Sequence, residues 1–442
     1  MKRLLGEAGF FAYLDALNQP YTRALRVNLL LRPDGTPPCP IDGLGAPVPW
    51  AKGAYFVEGD ARPGLSPLHE GGLFYMQEPS ALTAVTALDP QPGERVLDLC
   101  AAPGGKSTQI AALMAGRGLL CCNEPVPSRA QILSRNIERM GVRNAVVLSA
   151  MPDALTPRFP AFFDRILVDA PCSGEGMFRR QPEARDEWDA DAPRRCADRQ
   201  MEILTQAAKM LRPGGTMVYS TCTFNDTENE GVLRRFLALH PEFSLVPFAL
   251  PALPEAKDGY LHLYPHEMRG EGHFVSRLKK ADGADEADAP VQAAPQRKAP
   301  ARAAAKGKAP APIALPDVFS DAFAPERLYT AGDALWMLPE GISIERLSGL
   351  RVLRTGLLLA HAEGKRSEPD HALAMALRPE EAARTANLTQ TQALAYQAGE
   401  TLSLGDLPGG YTLLCCEGVS LGWGKQAGGL MKNHYPKGLR RR

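Results

Sequence analysis

The sequence lacks the features of a membrane-spanning or disulfide-stabilised protein. No apolar run approaches the ~20 residues that a transmembrane helix needs, and Glu7 and Asp15 interrupt the stretch that would have to be the core of a signal peptide. The nine cysteines are odd in number, scattered, and never spaced as Cys-x-x-Cys. We therefore expect a cytoplasmic protein with no membrane segment, disulfide framework or bound metal ion, and we predict a monomer.

A surplus of charge of either sign is also absent. The chain contains 50 lysines and arginines and 50 aspartates and glutamates. A surface that binds nucleic acid therefore has to come from a local cluster of basic residues.

Composition divides the chain into four parts. Residues 281–312 are dominated by alanine and proline and contain no aromatic residue. They predict a flexible linker, because such a segment cannot bury enough apolar surface to offset the cost of ordering it. Residues 1–75 form a small amino-terminal unit, residues 76–280 a central domain, and residues 313–442 a carboxyl-terminal region with a basic end.

Short apolar runs alternate with helical patterns through the central domain. We predict strands at "RVLDLC", "GLLCCNE", "NAVVLSA", "DRILVDAP", "TMVYSTC" and "HFVSRLKK", and helices at "KSTQIAALMAG", "SRAQILSRNIERMG", "RQMEILTQAAKMLRPGG" and "TENEGVLRRFLALH". This alternation is typical of an α/β fold with a doubly wound, mostly parallel sheet. In such sheets ligands bind beyond the carboxyl ends of the strands.

The stretch "DLCAAPGGKST" is similar to a phosphate-binding loop but fails one requirement. A Walker A loop would need its first glycine at the position of Cys100. Interpreted instead as strand, turn and helix, the stretch places Asp98 at a strand end and Gly104 and Gly105 where the backbone approaches a ligand. Glu124 ends the next strand, where a carboxylate can accept the hydroxyls of a ribose. These residues predict an adenosine-containing cofactor, either NAD or S-adenosylmethionine.

Two further strand ends decide between these cofactors. "DAPCSGEG" places Asp169 and Cys172 after one strand, and "STCTFNDTENE" places Cys222 after the next. Carbon 5 of cytosine becomes nucleophilic only after a thiolate has added to carbon 6. A cysteine beside a methyl donor therefore has a chemical use, and the pattern favours S-adenosylmethionine.

The motifs "DLCAAPGGKST", "DAPCSGEG" and "YSTCT", in this order, resemble those of the Sun/Fmu family of RNA 5-methylcytosine methyltransferases. "PCSGEGMFRR" and the ending "GWGKQAGGLMKNHYPKGLR" narrow the resemblance to the bacterial ribosomal small-subunit type, over nearly the whole chain except the linker. The resemblance implies a Rossmann-like class I methyltransferase fold with a small amino-terminal α+β RNA-binding unit and a carboxyl-terminal PUA-like domain.

The resemblance also implies residue roles. Cys222 would be the nucleophile that attacks carbon 6, Cys172 would assist release of the product, and Asp169 would hold the cytosine ring by nitrogen 3. Asp153 is expected to contact the adenine, and Glu124 the ribose. The predicted cofactor-binding residues are Cys100, Ala101, Ala102, Pro103, Gly104, Gly105, Lys106, Glu124, Asp153 and Asp169.

Methylation at carbon 5 requires an unpaired or flipped-out base, so the enzyme must grip the RNA backbone around its pocket. We predict that Trp423, His434 and Tyr435 in the basic tail stack on single-stranded bases. The residues predicted to contact RNA are Arg26, Asn28, Arg179, Arg180, Lys432, Lys437 and Arg440.

We therefore predict an enzyme that transfers a methyl group from S-adenosylmethionine to carbon 5 of cytosine in 16S ribosomal RNA, with ribosomal RNA or the small ribosomal subunit as its partner. Two alternatives remain open. One is a transfer RNA 5-methylcytosine methyltransferase, and the other is a ribosome assembly factor that binds RNA without needing turnover. An NTPase is disfavoured by Cys100.

Overall fold

The computed structural model describes residues 1–181, 183–186, 188–283, 313, 317–318, 327–363 and 366–441. The linker predicted at residues 281–312 lies outside these ranges except for its first three residues. No helix within the described ranges is long and apolar enough to cross a membrane.

The amino-terminal unit is a helix followed by a small antiparallel sheet. Its elements are α1 (Lys2–Leu17), β1 (Arg23–Val27), β2 (Leu44–Pro47), β3 (Ala54–Val57), α2 (Pro67–Glu70) and β4 (Phe74–Met76). The strand order is β2-β3-β1-β4, and Leu25 of β1 lies opposite Tyr55 and Met76 on its two neighbours. The predicted α+β unit is confirmed.

The central domain is one mixed sheet with helices on both faces. Every strand and helix predicted for it has a counterpart in the structure. The helix predicted to run to Gly215 is wrong at its end, because Leu211 already begins a strand and Pro213 does not continue a helix. The elements are α3 (Leu82–Leu88), β5 (Arg95–Asp98), α4 (Gly105–Leu113), β6 (Leu119–Asn123), α5 (Pro127–Arg139), β7 (Ala145–Leu148), α6 (Pro152–Leu155), β8 (Phe163–Asp169), α7 (Glu183–Asp186), α8 (Ala192–Met210), β9 (Leu211–Thr221), α9 (Glu230–Leu239), β10 (Phe243–Leu245), β11 (Tyr260–Leu263) and β12 (His273–Lys280).

The strand order of the central sheet creates a crevice at its middle. The order is β10-β12-β9-β8-β5-β6-β7, in which β5 to β9 run parallel and β12 is antiparallel to β9. From β5 the chain moves outward to β6 and β7 and then returns to place β8 on the other side of β5. Open α/β sheets bind ligands at such a reversal, beyond the carboxyl ends of the strands.

Two apolar layers cover the faces of this sheet. Leu82 of α3, Ile110 of α4 and Leu133 of α5 belong to the core on one face. Leu204 of α8 and Phe236 of α9 belong to the core on the other. Since both faces are covered, the parallel strands are nearly continuous apolar runs, which explains why they could be recognised in the sequence.

The carboxyl-terminal region contains two separate four-stranded sheets. Its elements are β13 (Leu328–Ala331), β14 (Ala334–Met337), α10 (Ile344–Leu347), β15 (Val352–Arg354), β16 (Leu357–Glu363), β17 (Arg366–Pro369), α11 (His371–Ala376), β18 (Thr385–Asn387), α12 (Gln390–Ala398), β19 (Gly410–Cys416), β20 (Val419–Ala427) and β21 (Leu430–Asn433). The strand orders of the two sheets are β13-β14-β16-β17 and β18-β19-β20-β21.

The carboxyl-terminal region packs against both other units. Its strand β15 pairs antiparallel with β7 and so extends the central sheet. Phe74 of the amino-terminal sheet shares an apolar core with Leu414 of β19, and Gln397 of α12 donates a hydrogen bond to the Pro67 carbonyl (3.0 Å). These contacts bury residues from distant parts of the chain in common cores.

Candidate active site

The predicted cofactor loop connects β5 to α4 and borders the crevice. Gly104 has a φ of 113°, a conformation that favours glycine. Neighbouring elements fix the main chain of the loop through three hydrogen bonds: Ala101 N to Asn123 O (2.9 Å), Asn136 Nδ2 to Pro103 O (2.9 Å) and Arg129 Nη2 to Ala102 O (3.2 Å). Cys100 to Lys106 therefore form a well-supported loop and the first residues of α4.

A buried carboxylate lies beneath this loop. Asp98 ends β5 and is fully buried. Its Oδ2 accepts a hydrogen bond from the Ser107 hydroxyl (2.6 Å), whereas its Oδ1 has no protein partner. Burial raises the pKa of Asp98 to about 7, against the opposing effect of the Ser107 hydrogen bond. The unpartnered oxygen is an acceptor that a cationic ligand group could satisfy.

The other end of the crevice is formed by the loops after β6 and β7. Glu124 follows β6 directly and is buried, with Oε1 accepting from the Val126 amide (3.0 Å). The two loops touch through the Ser149 hydroxyl, which donates to the Pro125 carbonyl (3.4 Å). Val126 on the first loop and Met151 on the second are exposed apolar side chains that sequence analysis missed.

Asp153 lies in the first turn of α6, just after the second of these loops. It is exposed, and its carboxylate accepts a hydrogen bond from the next amide, that of Ala154 (2.9 Å). Its contact with an adenine stays a prediction.

Asp169 is the centre of a polar cluster on the opposite side of the crevice. Its Oδ2 accepts from Lys106 Nζ (2.8 Å) and its Oδ1 from the Ser220 hydroxyl (2.8 Å). His273 Nε2 lies 3.4 Å from the same Oδ1. Burial by itself would raise the pKa of Asp169, but Lys106 and His273 outweigh it and hold the pKa below its usual range. Asp169 is therefore a carboxylate at neutral pH.

Sequence analysis missed Ser220 and His273, although one signal was present. Ser220 lies at the carboxyl end of β9, two residues before Cys222, and so at the sheet edge where ligands were expected. His273 is buried and comes from the antiparallel strand β12, whose position beside β9 follows from the sheet order alone.

The two predicted catalytic cysteines meet at the same edge. Cys172 follows β8 and Cys222 follows β9, and these strands are neighbours in parallel register. Their Sγ atoms lie 3.3 Å apart, within hydrogen-bonding distance for sulfur. The hydrogen bond with Cys222, together with burial, raises the pKa of Cys172 well above its usual range. The arrangement pairs one protonated thiol with a second sulfur that can act as a nucleophile.

The loops that carry the two cysteines are tied to each other. The Gly176 amide donates to the carbonyl oxygen of Cys222 (2.7 Å), and a side chain at Gly176 would collide with that same oxygen. The Glu175 carboxylate accepts from the amides of Phe224 (2.8 Å) and Asn225 (3.0 Å). These contacts fix the distance between the loops, and sequence analysis did not identify them because they join residues about 50 positions apart.

The predicted RNA contacts of Arg26 and Asn28 are wrong. Both side chains are almost completely buried. Arg26 Nη2 donates to the Thr108 hydroxyl (2.8 Å) at the start of α4, and Asn28 Nδ2 donates to the carbonyls of Gly72 (2.9 Å) and Met140 (3.0 Å). These residues join the amino-terminal unit to the central domain, so RNA phosphates cannot reach them.

The predicted RNA contact of Arg179 is also wrong, for the same physical reason. Its side chain is 7% exposed and forms a two-point ion pair with Glu271, in which both N···O distances are 2.7 Å. It also donates to the carbonyls of Ala16 and Gly270 (both 2.9 Å). The neighbouring Arg180 is exposed, and its RNA contact stays a prediction.

The aromatic residues of the basic tail do not form a stacking surface. Trp423 and Tyr435 are buried, and the Trp423 indole N–H donates to the Asp370 carbonyl (2.8 Å). His434 is half-buried, with Nδ1 3.0 Å from a Glu368 oxygen. The predicted base stacking by Trp423 and Tyr435 is therefore wrong.

The lysines of the tail remain available. Lys432 and Lys437 are exposed, and Arg440 is half-buried with its guanidinium close to Gly399. Their contacts with RNA stay predictions.

The described ranges contain no group of three or more His, Cys, Asp or Glu side chains that could hold a metal ion. Two histidines separated by three residues, His262 and His266, lie on β11 and just after it. His262 Nε2 lies 2.7 Å from a Glu230 oxygen.

Four family patterns match the chain in order. They are described as "N-terminal domain of 16S rRNA methyltransferase RsmF" at residues 1–79, "16S rRNA methyltransferase RsmB/F" at residues 85–279, "RsmF rRNA methyltransferase first C-terminal domain" at residues 316–377 and "Methyltransferase RsmF PUA domain" at residues 383–441. The last two matches correspond to the two sheets of the carboxyl-terminal region.

The chain is also similar to individual proteins along nearly its whole length. It is 33% identical to the ribosomal RNA small subunit methyltransferase F of Erwinia tasmaniensis, over 99% of this chain and 95% of the relative. The protein of the same name from Klebsiella pneumoniae is 34% identical, over 97% of this chain and 92% of the relative. The crystal structure of a methyltransferase homolog protein from Pyrococcus horikoshii matches with a TM-score of 0.52 and 29% identity, over 63% of this chain and 97% of that chain.

Proposed function

The chain belongs to the RsmB/F family of 16S rRNA methyltransferases, and we propose that it methylates carbon 5 of a cytosine through a covalent bond between Cys222 and the base. Membership of this family makes the chain an S-adenosylmethionine-dependent methyltransferase of ribosomal RNA. The observation that supports the cytosine and the covalent route is the 3.3 Å contact between the sulfur atoms of Cys172 and Cys222. Lys106, which donates a hydrogen bond to the Asp169 carboxylate (2.8 Å), also interacts electrostatically with Cys222.

The residues of the crevice fit S-adenosylmethionine. The unpartnered Oδ1 of Asp98 is a suitable acceptor for the methionine ammonium group, and the main chain around Gly104 would line the methionine and ribose. Glu124 would accept the ribose hydroxyls, while Val126 and Met151 would cover the faces of the adenine. When bound, this cofactor supplies a methyl group on a positively charged sulfur.

Cys222 would begin the reaction as a thiolate. Its sulfur forms a bond to carbon 6 of the cytosine, and the electron pair of the C5=C6 bond becomes available at carbon 5 for bond formation with the methyl group. Lys106 is close enough to interact electrostatically with Cys222.

Asp169 would orient the base. Because it is ionised, it accepts hydrogen bonds and donates none. It therefore holds the cytosine either by the exocyclic amino group or by a nitrogen 3 that carries a proton. Its own position is fixed by Lys106 and Ser220.

Release of the product breaks the bond between Cys222 and carbon 6 that the first step formed. Carbon 5 gives up its proton to a base, and the electron pair of that C–H bond rebuilds the C5=C6 double bond. The C6–S bond breaks, and its electron pair returns to the sulfur of Cys222. The thiol of Cys172 lies beside this sulfur and can donate a hydrogen bond to it as the negative charge returns.

Two other functions were left open by the sequence. A ribosome assembly factor that only binds RNA has no need for two sulfur atoms 3.3 Å apart at the ends of neighbouring strands. A transfer RNA methyltransferase would use the same chemistry, but the full-length relatives carry the name of a ribosomal RNA small subunit methyltransferase. Ribosomal RNA is therefore the substrate that we propose.

The test is transfer of labelled methyl from S-adenosylmethionine to small ribosomal subunits and, separately, to naked 16S rRNA, both taken from cells that lack this protein. The RNA is digested to nucleosides after the reaction. We expect labelled 5-methylcytidine with the natural protein and none with Cys222→Ala, because the sulfur proposed to bond to carbon 6 is absent. Cofactor binding by the variant, measured by calorimetry, should be unchanged.

A matched control is Cys39→Ala, which removes a partly exposed cysteine of the amino-terminal unit and should leave the label in place. Label on a different nucleoside, or 5-methylcytidine formed by Cys222→Ala, would contradict the proposal. Label found only when transfer RNA is supplied would favour the transfer RNA alternative.

A further inference from the structure

A buried carboxylate outside the proposed reaction steps lies between the two cysteine loops. Glu228 follows β9 in the segment that leads into α9, and it is fully buried. Within the described parts of the chain, no lysine, arginine or histidine forms an ion pair with it. A charge in this position requires several hydrogen bonds to be tolerated.

Glu228 obtains these hydrogen bonds from the loop of Cys172 and its surroundings. Its Oε2 accepts from the Ser173 amide (3.0 Å) and from Gln200 Nε2 (2.8 Å). Its Oε1 accepts from Asn225 Nδ2 (2.8 Å) and from the Ser173 hydroxyl. Four donors thus converge on one carboxylate, and two of them belong to the residue after Cys172.

The same network also holds the residue before Cys172. Gln200 Nε2 lies 3.0 Å from the Pro171 carbonyl oxygen, to which it donates. The Tyr219 hydroxyl, on β9, donates to the main-chain oxygen of Glu228 (2.7 Å) and lies 2.9 Å from Gln200 Oε1. The main chain on both sides of Cys172 is therefore anchored to Glu228 and its partner Gln200.

We propose that Glu228 is a positioning residue, which fixes the Cys172 loop against Cys222 and holds a negative charge beside the Cys172 thiol. The role of Cys172 in turnover rests on the proposed function. There the Cys172 thiol donates a hydrogen bond to the Cys222 sulfur as the C6–S bond breaks. Loss of the Glu228 carboxylate would release the main chain on both sides of Cys172, so that its thiol would no longer be held against the Cys222 sulfur.

The charged and titratable groups around Cys172 support this assignment. Cys222, from the loop after β9, is the strongest influence on Cys172, and burial and the Glu228 carboxylate act in the same direction. Cys196 of α8 and Tyr219 of β9 also sense the Glu228 charge. Lys106 interacts with Cys222, so the positive charge of the site acts on the nucleophile.

The first experiment uses the free protein and needs no RNA. Alkylation of Cys172 by iodoacetamide is followed by peptide mass spectrometry as a function of pH, in the Cys222→Ala background, which removes the largest influence on Cys172. We expect Glu228→Gln to move the pH midpoint of alkylation down by about one unit, which makes the reaction about tenfold faster below the midpoint. A merely loosened loop would raise the plateau rate and leave the midpoint in place.

Two further variants keep this experiment decisive. Glu230→Gln changes a carboxylate two positions away, which pairs with His262 and not with the Cys172 loop, and it should leave the midpoint unchanged. Glu228→Asp retains the charge but has a shorter reach. If Glu228→Gln fails to fold, Glu228→Asp should keep the high midpoint while raising the plateau rate. An unchanged midpoint in folded Glu228→Gln would overturn the proposal, as would a lowered midpoint in Glu228→Asp.

The second experiment measures release of the methylated RNA. Cys172→Ala, 16S rRNA and S-adenosylmethionine should accumulate a covalent protein–RNA adduct that is retarded on a denaturing gel. Glu228→Gln should form the same adduct and release it more slowly than the natural protein does, because the Cys172 thiol is no longer held against the Cys222 sulfur. Release at the natural rate would contradict the role in turnover. If the natural protein methylates no RNA, the proposed function fails, while the alkylation result still decides whether Glu228 controls Cys172.

Discussion

Two parts of the molecule bury polar side chains to a similar extent but use them differently. At the carboxyl edge of the central sheet, Asp98 keeps an unpartnered oxygen, and Cys172 and Cys222, the proposed catalytic cysteines, present sulfur atoms to each other. At the joins between units, Arg179 and Asn28 direct their donors to main-chain carbonyls or to a carboxylate. Burial therefore does not identify a functional residue. An unpartnered polar atom does not identify one either, because Arg26 Nη1 and Gln397 Oε1, which lie at the joins, also have no hydrogen-bond partner. What separates the two regions is position, since the crevice lies beyond the carboxyl ends of the strands, where such sheets bind ligands.

The largest expected effect on stability distinguishes two neighbouring arginines, the buried Arg179 and the exposed Arg180. Arg179→Ala leaves Glu271 buried without its ion-pair partner, so we expect a loss of about 3–5 kcal/mol of unfolding free energy. Arg180→Ala removes an exposed side chain and should change stability by less than about 0.5 kcal/mol. Urea denaturation of both variants measures the difference, and equal losses would break the comparison.

An intermediate effect is expected at Asp98. The pKa of Asp98 in the folded protein is about 7, above the ~3.9 of an unfolded chain. Between these values the folded state binds a proton that the unfolded state does not, so stability falls as pH rises, by up to about 1.4 kcal/mol per unit.

Asp98→Asn removes this contribution. Between about pH 5 and about pH 7, the natural protein should therefore lose roughly 2–3 kcal/mol relative to the variant, as measured by denaturation at each pH. Asp34→Asn, which changes an exposed carboxylate, serves as the control and should follow the natural protein. A constant difference between the natural protein and Asp98→Asn across this range would show that Asp98 is ionised throughout.

The smallest effect is expected at the exposed lysines of the tail. Lys432→Ala and Lys437→Ala should each weaken RNA binding. Each should also reduce the salt dependence of the binding constant by the amount that about one phosphate contact contributes. Their stability should stay within about 0.5 kcal/mol of the natural protein. Binding titrations at several salt concentrations, with Lys257→Ala as an exposed control in the central domain, check this. An unaltered salt dependence would remove these lysines from the RNA contact surface.

The sequence predicted the central fold well because its signals are local. The parallel strands are continuous apolar runs, and the helices between them have their own periodicity, so each element could be recognised alone. The predicted positions of Asp169, Cys172 and Cys222 at neighbouring strand ends agree with the structure. The same approach placed the end of α8 too late, because the start of β9 depends on its pairing with β8.

The predictions that failed concern residues whose surroundings come from distant parts of the chain. A basic residue near a catalytic motif is a reasonable RNA contact until another unit covers it. Arg179 is covered by α1 and by the segment before β12, and Trp423 is covered by the main chain of Asp370. The prediction for Arg26 failed because the amino-terminal sheet docks beneath the start of α4.

Whether the carboxyl-terminal region folds apart from the other units was also decided by the tertiary structure. The sequence separates residues 313–442 from the central domain by an alanine- and proline-rich stretch. In the structure, however, β15 extends the central sheet and the last sheet shares a core with the amino-terminal unit. Removing this region would expose both surfaces, so a deletion would affect folding as well as RNA binding.

The sequence by itself determined the sheet, the cofactor loop and the cysteines, because hydrophobic periodicity, glycine at a positive φ and a reactive residue type are properties of short segments. Only the tertiary structure decided which polar groups face the crevice and which join units. It also placed Glu228 beside the loop of Cys172. The physical reason is that burial and hydrogen bonding depend on which segments meet, and those segments are separated by about 50 to 300 residues in the chain.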